Sequence, residues 1–275
     1  MRVWALGRRA VELFNSRQKW IEIQVHRKAV PPVEKDAHDT TPDPPPAGGM
    51  RELVARLYIA GEGIEIGALN GPLGLPMGTR VQYVDRLEMS ELREHYPGLD
   101  IAQVDIVDDG ECLVTIPESS QDFIVANHLL EHCEDPIQTL HTFASRLKPG
   151  GVLFMAVPDA DFTFDCTRPS TTFAHLLEDH TLGPARSRME HYREWVNLVK
   201  GYAGTAADEQ VGALIEMGYR IHYHVWRMHE LLEFLARSID ELDLRLSLEL
   251  AMRHGLEVIC VLRRPAISSA GCRGS

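Results

Sequence analysis

Two pairs of histidines in this chain are spaced so that the members of each pair would point the same way. His128 and His132 are four residues apart, which would place them on one face of a helix. His222 and His224 are two residues apart, which would place them on one face of an extended segment. An unperturbed imidazole titrates near neutral pH, so it can accept a proton from a reacting group or bind a metal ion.

The first pair also lies within a known metal-binding pattern. The residues from His128 to His132 match H-x-x-E-H, the inverted zinc-peptidase signature in which two histidines bind zinc and the glutamate activates water. Three fixed residues in five often occur by chance, so a zinc-dependent hydrolase is the lesser alternative. The histidines could instead hold a divalent ion that lowers the pKa of a hydroxyl group.

A second set of polar residues follows short apolar runs, where the strands of a sheet would end. Its members are Asp85, Asp105, Asn127 and Asp159. The carboxyl ends of parallel strands meet at one edge of a sheet, and ligands bind there. Glu65 and Asp85 are 20 residues apart (85 − 65), close to the interval at which a doubly wound fold places an acid against a ribose.

A glycine-bearing loop precedes these strand ends. Ile64 and Ile66 flank Glu65 in a short apolar run that leads into the loop from Gly67 to Gly74. The loop has no Gly-Lys-Ser/Thr, which argues against a triphosphate-binding loop, and its spacing is not G-x-G-x-x-G. Alone it predicts only the ligand-binding first loop of an α/β domain.

Alternating strands and helices must carry these residues. Strands are predicted at 81–84, 101–104, 122–126, 152–157, 242–250 and 257–262. A helical segment is predicted from Asn127 through Leu147, and the short turn at 253–255 permits only antiparallel pairing of the last two strands. The pattern predicts an α/β fold with a Rossmann-like doubly wound sheet, mostly parallel with an antiparallel C-terminal strand.

Composition changes along the chain predict its domain organisation. Residues 1–49 are first basic and then rich in proline, which predicts an N-terminal helix and a linker. Residues 50–264 form the compact domain, with a substrate-side insertion at about 160–220, and residues 265–275 form a disordered tail. The N-terminal helix could pack on a second subunit, so a homodimer is one expected arrangement.

Charge and cysteine usage exclude several classes of protein. The 275 residues carry a formal net charge of −12, which argues against nucleic acid as the main partner. Five cysteines without a CxxC pair indicate a reducing cytoplasm, and no apolar run is long enough to span a membrane.

From about Glu62 to Arg263 the chain resembles class I S-adenosylmethionine-dependent methyltransferases, of the type 11-like group. The matching segments are Glu65 to Gly71, the acids Asp85 and Asp105, the block from Asp122 to His132, and Leu147 to Gly151. They occur in the family's order over most of the chain. One position departs from the usual E-x-G-x-G-x-G loop, because Leu69 replaces the second glycine.

This resemblance implies S-adenosylmethionine as cofactor and a set of residues that bind it. The set is Glu65, Gly67, Ala68, Asn70, Gly71, Asp85, Arg86, Asp105, Ile106 and Asn127. Asp85 would accept hydrogen bonds from the ribose hydroxyls, and Arg86 would line the adenine. Asp105 would accept from the adenine amino group with Ile106 against the ring, and Asn127 would face the methionine ammonium.

The resemblance also implies in-line transfer of a methyl group to a hydroxyl or amine of a small molecule or saccharide. Such an acceptor needs a base. His132 and His128 come first by position, His191, His222 and His224 would act from the substrate side, and Asp159 is an alternative. No metal ligand is assigned. Another alternative is a methyltransferase-like domain that binds without turnover.

Aromatic residues of the insertion could wall the acceptor pocket. They are Phe162, Phe164, Tyr192, Trp195, Tyr223 and Trp226.

Overall fold

The computed structural model describes residues 49–266. Of the predicted N-terminal helix and linker only Gly49 lies within this range, and of the predicted tail only its first two residues do. Within residues 49–266, no helix is long and apolar enough to cross a membrane.

One seven-stranded sheet organises the described part of the chain. Its strands are β1 (Glu62–Ile66), β2 (Arg80–Asp85), β3 (Ile106–Val107), β4 (Gln121–Asn127), β5 (Leu147–Pro158), β6 (Ser247–His254) and β7 (Glu257–Arg263). The strand order is β3-β2-β1-β4-β5-β7-β6. Neighbours among β1 to β5 pair in parallel, whereas β7 runs antiparallel to both β5 and β6. The predicted mixed, doubly wound sheet is therefore confirmed.

Seven α-helices accompany these strands in residues 49–266. They are α1 (Met50–Tyr58), α2 (Met89–His95), α3 (Pro136–Arg146), α4 (Phe173–Leu182), α5 (Arg188–Leu198), α6 (Thr205–Glu216) and α7 (Met228–Glu241). Short 3-10 helices span Leu130–His132, Ala160–Phe162, Phe164–Thr167 and Pro184–Arg186. Helices α4, α5 and α6 thus lie between β5 and α7, where the sequence predicts the insertion.

The core has two parts because the central strands bury side chains on both faces. Ile124 and Phe123 are adjacent in β4 and enter different clusters, since successive strand residues point to opposite sides. The cluster of Ile124 includes residues of α3 and α7, and that of Phe123 includes residues of α1. A sheet covered on both faces leaves its strand ends as the open edge.

Three local predictions are wrong. The sixth strand is Ser247–His254 rather than 242–250. The third strand is Ile106–Val107 rather than 101–104, so Asp105 precedes the strand instead of ending it. No continuous helix follows Asn127: His128 has a left-handed φ of 51°, which interrupts a right-handed helix, and α3 begins only at Pro136. His128 and His132 therefore do not share a helix face, and the H-x-x-E-H residues do not form a metallopeptidase helix.

Candidate active site

The glycine loop after β1 leaves open space beside its backbone. A Cβ placed on Gly67 or Gly71 would meet no atom within 4 Å among residues 49–266, and Gly67 has a φ of +65°. The amide of Gly67 donates to the carbonyl of Val84 at 2.9 Å, and that of Gly71 donates to Ala68 at 2.9 Å. The loop is therefore held in shape and can receive a ligand against its backbone.

Leu69 occupies the position where the family usually has its second glycine. It has a φ of 47°, a left-handed conformation that is unfavourable for a residue with a Cβ. Its carbonyl accepts a hydrogen bond of 2.7 Å from the amide of Ala102, which ties the loop to the segment before β3. The loop thus keeps a glycine-like backbone without the glycine, and Asn70 beside it is exposed.

Glu65 shapes this loop from inside the core. Its side chain is buried, and its two carboxylate oxygens accept from the amide of Leu73 at 2.9 and 3.1 Å. Burial raises the pKa of Glu65 to about 7, against the opposing effect of that hydrogen bond. The structure therefore gives Glu65 a contact that fixes the loop.

Asp85 ends β2 at the edge of the sheet, as the sequence predicts. Its Oδ1 accepts from the amide of Leu87 at 3.1 Å, which fixes the orientation of the carboxylate. Burial raises the pKa of Asp85 above its ordinary value. Arg86 follows with an exposed side chain.

Asp105 lies further from the strand ends than expected. Its Oδ2 accepts from the amide of Tyr83 at 2.9 Å, and Asp85 is level with Val107 in the sheet. The acids that follow the end of β3 are Asp108 and Asp109.

Their surroundings separate these two acids. Asp108 accepts from the amide and hydroxyl of Thr115 at 2.7 and 2.6 Å, which fixes the local turn. Asp109 is exposed and pairs with Arg220 at 3.2 Å. Ile106 is half-buried against the core.

Asn127 ends β4 with an unused side-chain amide. Both polar atoms of this amide are buried and have no hydrogen-bond partner among the described residues. Such a group is costly in a folded protein unless a ligand or water pairs with it. Asn127 is therefore a candidate ligand contact.

His128 lies between two carboxylates. Its Nε2 is 2.9 Å from Oε2 of Glu257, which also pairs with Arg51, and its Nδ1 is 3.4 Å from Oε1 of Glu131. Burial opposes the charge, but the nearby carboxylates of Glu131 and Glu257 outweigh it and raise the pKa of His128 to about 9. These pairings favour the protonated ring, which is a poor base, so the geometry favours another histidine for that role.

His132 and His222 contact each other close to the end of β4. Their ring centroids are 4.6 Å apart. Nδ1 of His132 is 2.8 Å from the carbonyl of Ile221, so this nitrogen carries the proton and donates. Nδ1 of His222 is 2.6 Å from Oδ2 of Asp165. Both rings therefore keep Nε2 for another partner.

Glu131 completes this group. It is 2% exposed, and neither carboxylate oxygen has a partner with hydrogen-bond geometry among residues 49–266. Burial disfavours its charge, but His128, His132 and His222 outweigh burial and lower the pKa of Glu131. One ligand atom each of Glu131, His132 and His222 lies within 4.8 Å of the others. The backbone carbonyl of Glu131 accepts from the amide of Tyr223 at 2.8 Å, which fixes the segment that carries His222.

His224 belongs elsewhere, contrary to the predicted shared face with His222. It is completely buried and contacts His191, with ring centroids 5.0 Å apart. Burial lowers the pKa of His224 well below its ordinary value. His191 and His224 are therefore separated from the His132–His222 pair.

Asp159, the alternative base, is also engaged elsewhere. It is 1% exposed, its Oδ1 accepts from the amide of Asp161 at 3.2 Å, and its Oδ2 is 3.7 Å from Arg253.

Sequence reasoning missed two acids of the site. Asp165 lies 57 residues from His222, so no local spacing connects them. Glu131 was considered only as part of H-x-x-E-H. The one local signal for Asp165 is Arg168 three residues later, which binds Asp165 at 2.9 Å and is itself buried.

The strand order and the ligand-binding edge define an α/β enzyme domain of the Rossmann-like class. A family model described as "Methyltransferase domain" matches residues 42–235. The chain belongs to this methyltransferase family, and its cofactor is S-adenosylmethionine. Asn127 and the open space beside Gly67 and Gly71 fit such a cofactor.

Solved methyltransferase structures resemble this chain at low identity. One from Methanosarcina mazei is 16% identical, with a TM-score of 0.42 over 76% of this chain and 96% of that chain. One from Thermotoga maritima is 15% identical, with a TM-score of 0.42 over 92% of this chain and 97% of that chain. No curated protein matches the sequence.

Proposed function

We propose that this protein transfers the methyl group of S-adenosylmethionine to a hydroxyl or amine of a small molecule or saccharide, with His222 as the general base. The observation that carries this proposal is the 2.6 Å contact between Nδ1 of His222 and Oδ2 of Asp165. A base whose far nitrogen is held by a carboxylate is oriented for proton transfer, and the carboxylate stabilises the imidazolium that forms.

The cofactor would bind across the strand ends. The backbone of Gly67, Ala68 and Gly71 would lie along it, Asp85 would accept from the ribose hydroxyls, and Asn127 would pair with its methionine part. S-adenosylmethionine supplies a methyl group on a sulfonium, which leaves as a thioether with the electron pair of the broken bond. Alignment of donor and acceptor accounts for much of the rate of such a displacement.

His222 would remove the acceptor's proton during transfer. As the acceptor oxygen or nitrogen bonds to the methyl carbon, its proton passes to Nε2 of His222, and the positive charge lies between Asp165 and Glu131. Both acids are buried, at 2% exposure each, so water screens their attraction to the imidazolium weakly.

His132 is the weaker candidate for the base. Its Nδ1 donates to a carbonyl rather than to a carboxylate, and burial lowers the pKa of His132 to about 4, although Glu131 opposes that shift. It is neutral at physiological pH and can accept a hydrogen bond from the acceptor through Nε2. His132 would therefore position the acceptor beside His222.

Two exposed aromatic rings support a small acceptor with a flat or apolar face. Phe164 is 38% exposed and its ring centroid is 4.8 Å from that of His222. Phe162 is 43% exposed and packs against the guanidinium of Arg253 at 4.8 Å. The other four predicted pocket aromatics are buried in the core, so that part of the prediction is wrong: Tyr192, Trp195, Tyr223 and Trp226.

Metal-assisted transfer is a second candidate because neither carboxylate oxygen of Glu131 makes a hydrogen bond within residues 49–266. Glu131, His132 and His222 could hold a divalent ion that lowers the pKa of an acceptor hydroxyl. Metal analysis of Glu131→Gln separates the two mechanisms, since a base mechanism needs no ion bound to Glu131. A measured metal content that depends on Glu131 would favour the metal.

The proposal is tested by a methyl-transfer screen against hydroxyl and amine acceptors, read by mass, with His222→Gln and Asp165→Asn as variants. Loss of a general base costs about 10²–10⁴-fold in rate, so we expect kcat to fall in that range for His222→Gln with cofactor affinity retained. Asp165→Asn should lower kcat and alter its pH profile. Wild-type turnover in His222→Gln would refute this base.

A further inference from the structure

A second group of histidines and an acid lies outside the site described above. Helix α4 carries His175 and Asp179, α5 carries His191, and the segment before α7 carries His224. His175 and Asp179 are four residues apart, which places them on one helix face. Thr172 caps α4 by accepting from the amide of His175 at 3.2 Å, which fixes where the helix begins.

Three of the six distances within this group are close to the edges of a tetrahedron around a metal ion. Nε2 of His175 is 3.1 Å from Nε2 of His191, and these nitrogens are 3.2 and 3.5 Å from Oδ2 of Asp179. Ligands about 2.0 Å from a tetrahedral ion are separated by about 3.3 Å, which follows from the geometry of zinc sites. One ligand atom of each of the four residues lies within 4.8 Å of all the others.

Two of the converging atoms have no hydrogen-bond partner among the described residues. Nε2 of His224 is 3.3 Å from the carbonyl of Glu134 and donates to it, so Nδ1 keeps a lone pair. That Nδ1 and Oδ2 of Asp179 are buried and have no hydrogen-bond partner in residues 49–266. Oδ1 of Asp179 accepts from the hydroxyl of Ser187 at 2.5 Å, which orients the carboxylate as a partner behind a metal ligand does.

We propose that His175, Asp179, His191 and His224 bind one zinc ion in a closed tetrahedral site. Three imidazoles and one carboxylate form a ligand set suited to zinc. Four protein ligands fill the coordination sphere, which is typical of structural sites, whereas catalytic zinc keeps an open position. This proposal is independent of the base assigned to His222.

The ion would link two helices of the insertion to the segment before α7. It joins α4 and α5 to the segment from Tyr219 to Trp226, and that segment also carries His222 toward Asp165. Zinc would thereby stabilise the wall of the acceptor site without touching the acceptor. Its removal should loosen α4 and α5 more than the sheet.

The direct test is metal binding by the purified full-length chain. We expect one equivalent of zinc by elemental analysis and, after its removal, the visible absorption of tetrahedral cobalt on titration with Co²⁺. Removing a residue that supports a metal ligand costs roughly 10–100-fold in metal affinity, and we expect a loss in that range for Ser187→Ala. The loss should be larger for Asp179→Asn and His175→Gln, which remove ligands. His175 is partly exposed, so His175→Gln is the substitution that disturbs folding least.

Matched controls locate the ion. The first control is His180→Gln, because His180 lies on α4 but pairs with Asp135 at 3.0 Å. The second is His222→Gln, because His222 belongs to the group of Glu131 and His132. Both should keep the cobalt spectrum. The proposal is overturned if wild-type protein shows neither zinc nor tetrahedral cobalt, or if His175→Gln binds as wild type. It is also overturned if cobalt is lost in His222→Gln and kept in Asp179→Asn, because the ion would then lie with Glu131.

Discussion

At the scale of single residues, burial and pairing separate side chains that look alike in the sequence. His128 is paired with two carboxylates, His132 donates to a carbonyl, His222 binds Asp165, and His224 is enclosed by other rings. The pKa of His128 is raised, whereas the pKa values of His132 and His224 are lowered, so similar side chains differ in charge. Apart from Glu131 beside His128, their partners come from distant segments, so residue type and spacing could not predict them.

Glu65 predicts a pH dependence of stability. Its folded pKa of about 7 lies above the ordinary value of 4.5, so the folded state binds the proton more tightly. Stability should therefore fall as pH rises from about 4.5 to 7, by about 3 kcal/mol if this group acts alone. Glu65→Gln should remove this slope, as measured by urea unfolding of the ligand-free protein. An identical slope in the variant would contradict the assignment.

His128 predicts a separate slope at higher pH. Its folded pKa of about 9 lies above the ordinary 6.5, so its contribution is present below about 6.5 and is lost as pH rises through 9. The side chain is 43% exposed, so water screens the pairing and the slope should be shallow. His128→Gln should flatten it in the same unfolding series. Direct titration of the ring by NMR should show a proton retained at pH 8, and a neutral ring there would contradict the pairing.

At the scale of elements, long apolar runs and strand ends are predictable, and irregular connections are not. The ends of β2 and β4 fall at Asp85 and Asn127, as the sequence indicates. The third strand has only two residues and its preceding segment pairs irregularly with Tyr83, so apolar alternation at 101–104 misplaced it. The break at His128 depends on a left-handed φ, which the surrounding helical pattern does not reveal.

The loop after β1 offers a test of its backbone conformation. Leu69 has a φ of 47°, where a Cβ costs roughly 1–2 kcal/mol. Leu69→Gly and Leu69→Ala both remove the side chain, but only glycine removes the strain. We expect the glycine variant to be more stable than the alanine variant by about 1 kcal/mol in chemical denaturation. Equal stability, or a more stable alanine variant, would contradict the left-handed loop.

At the scale of the whole molecule, the order of motifs was sufficient to predict the methyltransferase fold. The family match to residues 42–235 confirms the class and its cofactor. The acceptor, the cytoplasmic location and the homodimer stay predictions. Two residue pairs could not be predicted, because folding of the insertion brings their segments together. They are Asp165 with His222, and Asp179 with His224.

The central claim is that S-adenosylmethionine binds at the strand ends, and calorimetric titration of the purified protein tests it most directly. We predict one saturable site. Asp85→Asn should weaken S-adenosylmethionine binding by about 10–100-fold, because a hydrogen bond to a charged group contributes roughly 1.5–3 kcal/mol. Asp105→Asn is the matched control, because Asp105 lies level with Tyr83, two residues before the end of β2, and the variant should bind as wild type. Absence of saturable binding, or unchanged affinity in Asp85→Asn, would contradict the account.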